Sequence, residues 1–238
     1  MSDAASLFSS YASRYGISVT PEQEEKFRAY AQRLVEWNRK INLTAVTDPE
    51  GIAAKHFFDS VLLLKYADIG HGETVIDIGT GAGFPGVPLK IMRPDLKLTL
   101  LDSLQKRLTF LKELLEELDV SAKLVHARAE EAARRKEYRM QYGFSVARAV
   151  APMPVLCEYC LPFLKNGGVF AAMKGPDAEK ERKDAENAVR LLGCTLEKAV
   201  TYTLPAGDGR SLLLIRRTGA LAPLYPRHGS KIAKQPLF

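Results

Sequence analysis

The ten residues from Asp77 to Gly86, DIGTGAGFPG, set four glycines behind one carboxylate, directly after the apolar run TVIDI. Glycine at that density costs chain entropy on folding, so a sharp turn or a close approach of another molecule should require it. Two ligand chemistries suit the spacing. Gly81-Ala-Gly-Phe-Pro-Gly86 has the form G-x-G-x-x-G, in which free N–H groups at a helix start hold a pyrophosphate. Pro85 removes one donor from that turn. Counted one step earlier, Asp77-x-Gly79-x-Gly81-x-Gly83 places a carboxylate at a strand end beside the ligand, where it could orient an ammonium group. The first spacing suits NAD and the second suits S-adenosylmethionine, which has an ammonium and no phosphate.

Further along the chain, polar residues recur at the ends of apolar runs. Asp102 closes LKLTLLD, where a carboxylate can accept from both hydroxyls of a ribose. The alternative is that it caps the helix that follows. The next run ends in HARAE, so Ala129 and Glu130 are expected beside an adenine ring. Arg148 and Lys174 end two later runs and are expected at the mouth of the same site. His56 is a weaker candidate for positioning. Cys157 and Cys160 form a C-x-x-C without a second ligand pair, which reads as buried thiols, and no metal site is expected.

These residues need elements to carry them. Thr20-Pro21-Glu22-Gln23 has the form of a capping box with proline at the first helical position. Phe27, Tyr30, Leu34, Trp37 and Ile41 then mark one helical face. A second helix is expected over 50–66. From Thr74 the texture changes to short apolar runs alternating with helical segments. Strands are expected at 74–78, 96–102, 122–127, 144–150, 168–174, 195–204 and 210–217. Helices are expected at 87–92, 103–119, 154–164 and 177–193. The alternation implies an α/β fold, a mostly parallel twisted sheet with helices on both faces and a final antiparallel hairpin. The expected organisation is an N-terminal helical cap (1–66), a Rossmann-like domain (67–217) and a basic C-terminal tail (218–238).

At 238 residues, 46% hydrophobic and 26% charged, the chain has the balance of a soluble globular protein. No signal-peptide pattern opens it, and VLLL at 61–64 is far too short to span a bilayer. Three cysteines make no disulfide framework, and a reducing cytoplasm is the expected compartment. The net charge is +6, and no acidic residue follows Asp208, whereas Arg210, Arg216, Arg217, Arg227, Lys231 and Lys234 do. Such a tail suits a polyanion or is a solvated terminus. Arg39, Lys40, Lys55, Lys106, Arg107, Arg139, Lys174, Arg227, Lys231 and Lys234 are the candidate phosphate contacts.

Taken together, DIGTGAGFPGVPLKI, LLDSLQKR, FSVARAV and AMKG, with NRKINLTAV (38–46) and KHFFDS (55–60), resemble the bacterial 16S ribosomal RNA guanine-N7 methyltransferase G family, also called the glucose-inhibited division protein B family. The resemblance runs from about residue 30 to about 217. It implies a class I methyltransferase fold, S-adenosylmethionine as cofactor, and N7 of a guanine in the 530 loop of 16S rRNA as acceptor. The partner is then 16S rRNA or the small ribosomal subunit, and the protein is expected to be a monomer. The resemblance also implies cofactor contacts at Gly79, Phe84, Ala129, Glu130 and Arg148. Phe84 is left three roles: packing against the cofactor, guiding the target base, or packing only in the core. Guanine N7 carries a lone pair and no proton, so the chemistry asks for positioning rather than a base. The readings from other classes are an NAD-dependent oxidoreductase and a non-catalytic RNA-binding or ribosome assembly protein.

Overall fold

A computed structural model describes residues 3–238. Its seven strands are β1 (Thr74–Ile78), β2 (Lys97–Asp102), β3 (Lys123–His126), β4 (Tyr142–Arg148), β5 (Leu164–Lys174), β6 (Cys194–Thr203) and β7 (Gly209–Arg217). They form one sheet in the order β3-β2-β1-β4-β5-β7-β6. All neighbours are parallel except β7, which runs antiparallel to both β5 and β6. The order reverses between β1 and β4, which opens a crevice beyond the carboxyl ends of these strands. Asp77, Asp102, Arg148 and Lys174 all lie at that end of the sheet. The strands expected from the sequence are present, each shifted by a few residues at most.

Helices cover both faces. On one side lie α1 (Ala4–Arg14), α2 (Pro21–Asn38), α3 (Pro49–Gly51), α4 (Asp59–Tyr66), α5 (Gly86–Met92) and α6 (Gln105–Glu117). The capping box of α2 forms as read: Thr20 Oγ1 accepts from Gln23 N–H, and Gln23 Oε1 accepts from Thr20 N–H. Phe27, Tyr30, Phe57, Val61, Val87, Phe110 and Leu111 share one apolar cluster with Val75 and Val146 of the sheet. The N-terminal helices therefore have no core of their own. The helix expected over 50–66 is continuous but composite, because Ile52–Phe58 winds in wider π turns between α3 and α4. Such turns are uncommon and concentrate at functional sites.

The opposite face carries α7 (Ala129–Ala132), α8 (Met153–Cys160), α9 (Ala178–Asp184), α10 (Glu186–Leu191) and α11 (Gly229–Lys234). Met153, Leu156, Cys157 and Cys160 of α8 pack on Ile76, Ile78, Phe170 and Ala172. The single helix expected at 177–193 is two short ones, and α7 and α11 were not expected. Burial pushes the thiols of Cys157 and Cys160 up, and that of Cys194 up to about 12.

The tail departs from one of the two expectations. It is an ordered strap rather than a solvated terminus. Arg227 donates from Nε and Nη2 to the carboxylate of Glu158 on α8, and its backbone N–H donates to the same group at 2.6 Å. Glu158 is fully buried. Arg139 donates to the carbonyls of Tyr225 and Ala222. Arg216 pairs with Glu197, and Arg217 donates to the Leu164 carbonyl. Arg139 and Arg227 are thus corrected from phosphate contacts to internal ties: a buried carboxylate and free carbonyls claim them first. Lys231 and Lys234 stay exposed on α11. Replacing Arg227 by Met should destabilise the protein by about 3–5 kcal/mol, because an uncompensated charge is left buried. The double variant Glu158→Leu/Arg227→Met should recover most of that, as read by urea unfolding.

Candidate functional site

The glycine loop closes on itself. Asp77, fully buried at the end of β1, accepts through Oδ2 from Thr80 Oγ1 at 2.7 Å and from Gly86 N–H at 2.9 Å. Gly86 is the first residue of α5, so a carboxylate of the chain itself sits where a bound phosphate would sit on a helix start. The next N–H, of Val87, bonds Gly83 C=O, and Pro88 has none. No donor at the first three positions of α5 is left for a pyrophosphate, which argues against the dinucleotide spacing. Asp77 itself lines neither cavity described below. It is corrected from a ligand contact to the closure of its own loop. Burial raises its carboxyl to about 6, against the pull of its hydrogen bonds.

The glycines answer to different demands. Gly79 and Gly81 have positive φ and line the cleft. A Cβ on Gly83 (φ +98°) would lie 2.7 Å from the Tyr30 hydroxyl, and one on Gly86 would lie 2.8 Å from Asp77 Oδ2. These two are required by packing within the chain, and Gly83 is corrected from a cofactor contact accordingly. Tyr30 donates to the Ala82 carbonyl at 2.5 Å, so α2 grips the loop from behind.

Two adjoining cavities open beyond the strand ends. One, about 520 Å³, is lined among others by Thr44, His56, Phe84, Arg148 and Lys174. The other, about 370 Å³, is lined by Asp102, Ala129, Glu130 and Tyr159 among others. Gly79, Arg107 and Ala149 line both. Ala149 has φ 56°, a left-handed conformation that costs a non-glycine residue about 1–3 kcal/mol and marks the junction as strained.

In the smaller cavity Asp102 accepts from Leu104 N–H through Oδ1, and from Gly81 N–H and Arg107 Nη1 through Oδ2. It is not the cap of α6, whose cap residue is Leu104. Arg107 is corrected from a surface phosphate contact to an inward ion pair with Asp102 at 3.2 Å.

In the larger cavity Arg148 holds the centre. Its Nη1 donates to the Lys55 carbonyl at 2.8 Å and to Asp59 Oδ2 at 3.0 Å. Asp59 is 1% exposed, and it also accepts from the Tyr202 hydroxyl at 2.9 Å and lies 3.9 Å from Arg210 Nε. Arg148 Nη2 faces His56 Nδ1 at 3.4 Å, and Thr44 Oγ1 bonds His56 Nε2 at 2.8 Å. A guanidinium can only donate, so we assign the lone pair to Nδ1 and the proton to Nε2. Burial, with the Arg148 charge beside it, lowers His56 to about 3 and keeps the ring neutral. Phe84 is 6% exposed; it stacks with His56 at 4.5 Å and Tyr30 at 5.1 Å, and the Arg148 guanidinium lies 5.1 Å from its ring centroid. Phe84 thus joins the wall of the cleft to the core. Lys174 pairs with Glu181 at 2.6 Å and donates to the Ala151 carbonyl, and Lys55 pairs with Asp208 at 3.1 Å. Arg39, Lys40 and Lys106 are exposed.

The sequence gives no site role to Asp59, Thr44, Tyr30, Tyr202 or Arg210. Asp59 had a signal: it is a carboxylate on the apolar face of FFDSVLLL. Among the described residues no cluster of three acidic, histidine or cysteine side chains could hold a metal, and no helix is long and apolar enough to cross a membrane.

The raised Asp77 carboxyl has a consequence for stability. The folded state holds this proton up to about pH 6, and the unfolded chain releases it near 3.8. The stability it confers is full below pH 3.8 and is lost as pH rises to about 6. Asp77→Asn cannot titrate. The melting-temperature difference, wild type minus Asp77→Asn, should therefore fall between pH 4 and pH 6.5; a flat difference would refute this.

Comparison with known proteins identifies the family. The family model described as rRNA small subunit methyltransferase G matches residues 23–208. A protein of that name from Acetivibrio thermocellus is 47% identical over 95% of this chain and 93% of its own. Another, from Desulfitobacterium hafniense, is 45% identical over 94% of this chain and 93% of its own. Among solved structures, precorrin-6y C5,15-methyltransferase from Geobacter metallireducens aligns with a TM-score of 0.51 at 14% identity, over 74% of this chain and 91% of that one. TrmN from Thermus thermophilus aligns with a TM-score of 0.52 at 18% identity, over 67% of this chain and 48% of that one. These two carry the fold alone, a Rossmann-like α/β methyltransferase architecture, whereas the two relatives cover nearly the whole sequence and the family model well over half of it: the chain belongs to the rRNA small subunit methyltransferase G family.

Proposed function

We propose that the protein transfers a methyl group from S-adenosylmethionine to N7 of a guanine in the 530 loop of 16S rRNA. The observation that carries the proposal is the pair of cavities meeting at Gly79 and Ala149. One is fitted for a nucleoside and the other has an aromatic and cationic wall. Bound S-adenosylmethionine would supply a methyl group on a sulfonium. The chain would hold it through Asp102 on the ribose hydroxyls, Ala129 and Glu130 at the adenine end, and the open backbone of Gly79 and Gly81. Three acceptor positions of Asp102 are already used, so engaging both hydroxyls requires Arg107 to swing away. The closed helix start at Gly86 supports a ligand without phosphate.

The chemistry of the larger cavity supports N7 as the acceptor. Both ring nitrogens of His56 are engaged and the ring is neutral, so it is not poised to take a proton. N7 has none to give. What the site offers is positioning, which is the larger part of what in-line methyl transfer needs. Arg148 and Lys174 would orient the base and its phosphate from fixed positions, with Lys55 at the rim and the exposed Arg39, Lys40, Lys106, Lys231 and Lys234 left to meet RNA phosphates. The target guanine must leave its stack to enter.

Two measurements test this. Mass mapping of 16S rRNA from cells lacking the protein should show the N7-methylguanine of the 530 loop missing, and its persistence would overturn the substrate assignment. By calorimetry, S-adenosylmethionine should bind and NAD should not, and Asp102→Asn should weaken binding about tenfold, the loss of roughly one charge-assisted hydrogen bond.

A further inference from the structure

Thr44 lies in the segment between α2 and α3 and is held there firmly. Asn38 Oδ1 accepts from the N–H groups of Leu43 and Thr44, and Asn38 Nδ2 donates to the Thr44 carbonyl at 2.9 Å. The side chain lines the larger cavity. Its hydroxyl oxygen accepts from Val46 N–H at 3.0 Å. It also takes the proton of His56 Nε2, because the Arg148 guanidinium leaves the other ring nitrogen only the role of acceptor. A threonine hydroxyl has two lone pairs and one proton. Here both lone pairs are taken. Among the described residues the proton has no acceptor, so the hydroxyl offers the cleft a donor and nothing else.

That polarity has a use at the edge of a purine. Beside N7, guanine presents the O6 acceptor, whereas adenine presents the N6 amino donor. An ordinary hydroxyl could serve either one by rotating. A hydroxyl whose lone pairs are occupied can serve only the first. We propose that Thr44 is a specificity-determining residue that donates to O6 of the target base and thereby admits guanine and refuses adenine. The chain Asp59, Arg148, His56, Thr44 sets the direction of the donor: Asp59 holds Arg148 in place, Arg148 fixes the tautomer of His56, and His56 leaves Thr44 only its proton to offer. Arg148 and His56 act through Thr44 in this respect and are positioning residues for it. The inference rests on the proposed methylation of guanine N7.

The test uses the full-length protein, S-adenosylmethionine and small-subunit particles whose 16S rRNA carries either guanine or 2-aminopurine at the target position. 2-Aminopurine keeps N7 and lacks O6. Wild type should methylate the guanine substrate with a kcat/KM about 10- to 100-fold above that for 2-aminopurine, the span expected for one lost hydrogen bond in a closed site. Thr44→Val should lower the guanine value by a similar factor and bring the two substrates to within about twofold of each other. Thr44→Ser should restore the discrimination. A Thr44→Val enzyme that keeps the wild-type ratio, or a Thr44→Ser enzyme that does not regain it, overturns the role of Thr44 while leaving the function in place. Wild type without activity on the guanine substrate overturns the function itself, and the role of Thr44 with it.

Discussion

The Asp59 carboxylate, buried at the start of α4, is shared by the Tyr202 hydroxyl on β6, Arg148 at the end of β4 and Arg210 on β7. A buried charge must be paired, and removing one partner of such a cluster is far more damaging than never having built it. Asp59 therefore ties the N-terminal helices, the centre of the sheet and the closing hairpin at one point. The geometry of the cleft follows from it. Arg148 is held at the strand end, its second nitrogen meets His56, and Phe84 packs against both. The carboxylate does no chemistry in this arrangement, yet three segments far apart in sequence have their positions set by it.

The glycine loop shows a second economy of the same kind. Asp77 occupies the start of α5 with its own oxygen, which satisfies the Gly86 N–H, a group that in a dinucleotide-binding protein is reserved for phosphate. That helix start is thus closed to a phosphate by what the protein has already filled. The cleft is left to Gly79 and Gly81, whose open backbones form its floor, while Gly83 and Gly86 give α2 and Asp77 room to approach.

How far the sequence could be read depended on the range of the interactions involved. Strand positions, the capping box and the amphipathic face of α6 are local patterns, and they were legible. So were the polar residues at strand ends, because a strand end in this fold is a place in space. The inward turn of Arg107 was not legible, nor was the use of Arg139 and Arg227 inside the fold. Each of these cations meets a partner, whether carboxylate or carbonyl, contributed by tertiary structure, and charge alone does not distinguish a free arginine from a claimed one. The roles of Asp77 and Gly83 were misread for a related reason: a glycine needed for a neighbouring helix and one needed for a ligand look alike in a motif. Thr44 was invisible because its significance lies in the sense of its hydrogen bonds, which only the placement of Arg148 and His56 defines.

The strap at the C-terminus bears on how the chain is made. Glu158 precedes its partner Arg227 by 69 residues. In the order in which a ribosome makes the chain, the acid appears well before the base. Until Arg227 has emerged, α8 carries a carboxylate that cannot be buried without its counter-charge, so this helix cannot settle fully on the sheet. Asp59, on the other side of the sheet, waits in the same way for Arg148 and Arg210, so each face holds a buried carboxylate whose counter-charge is made later.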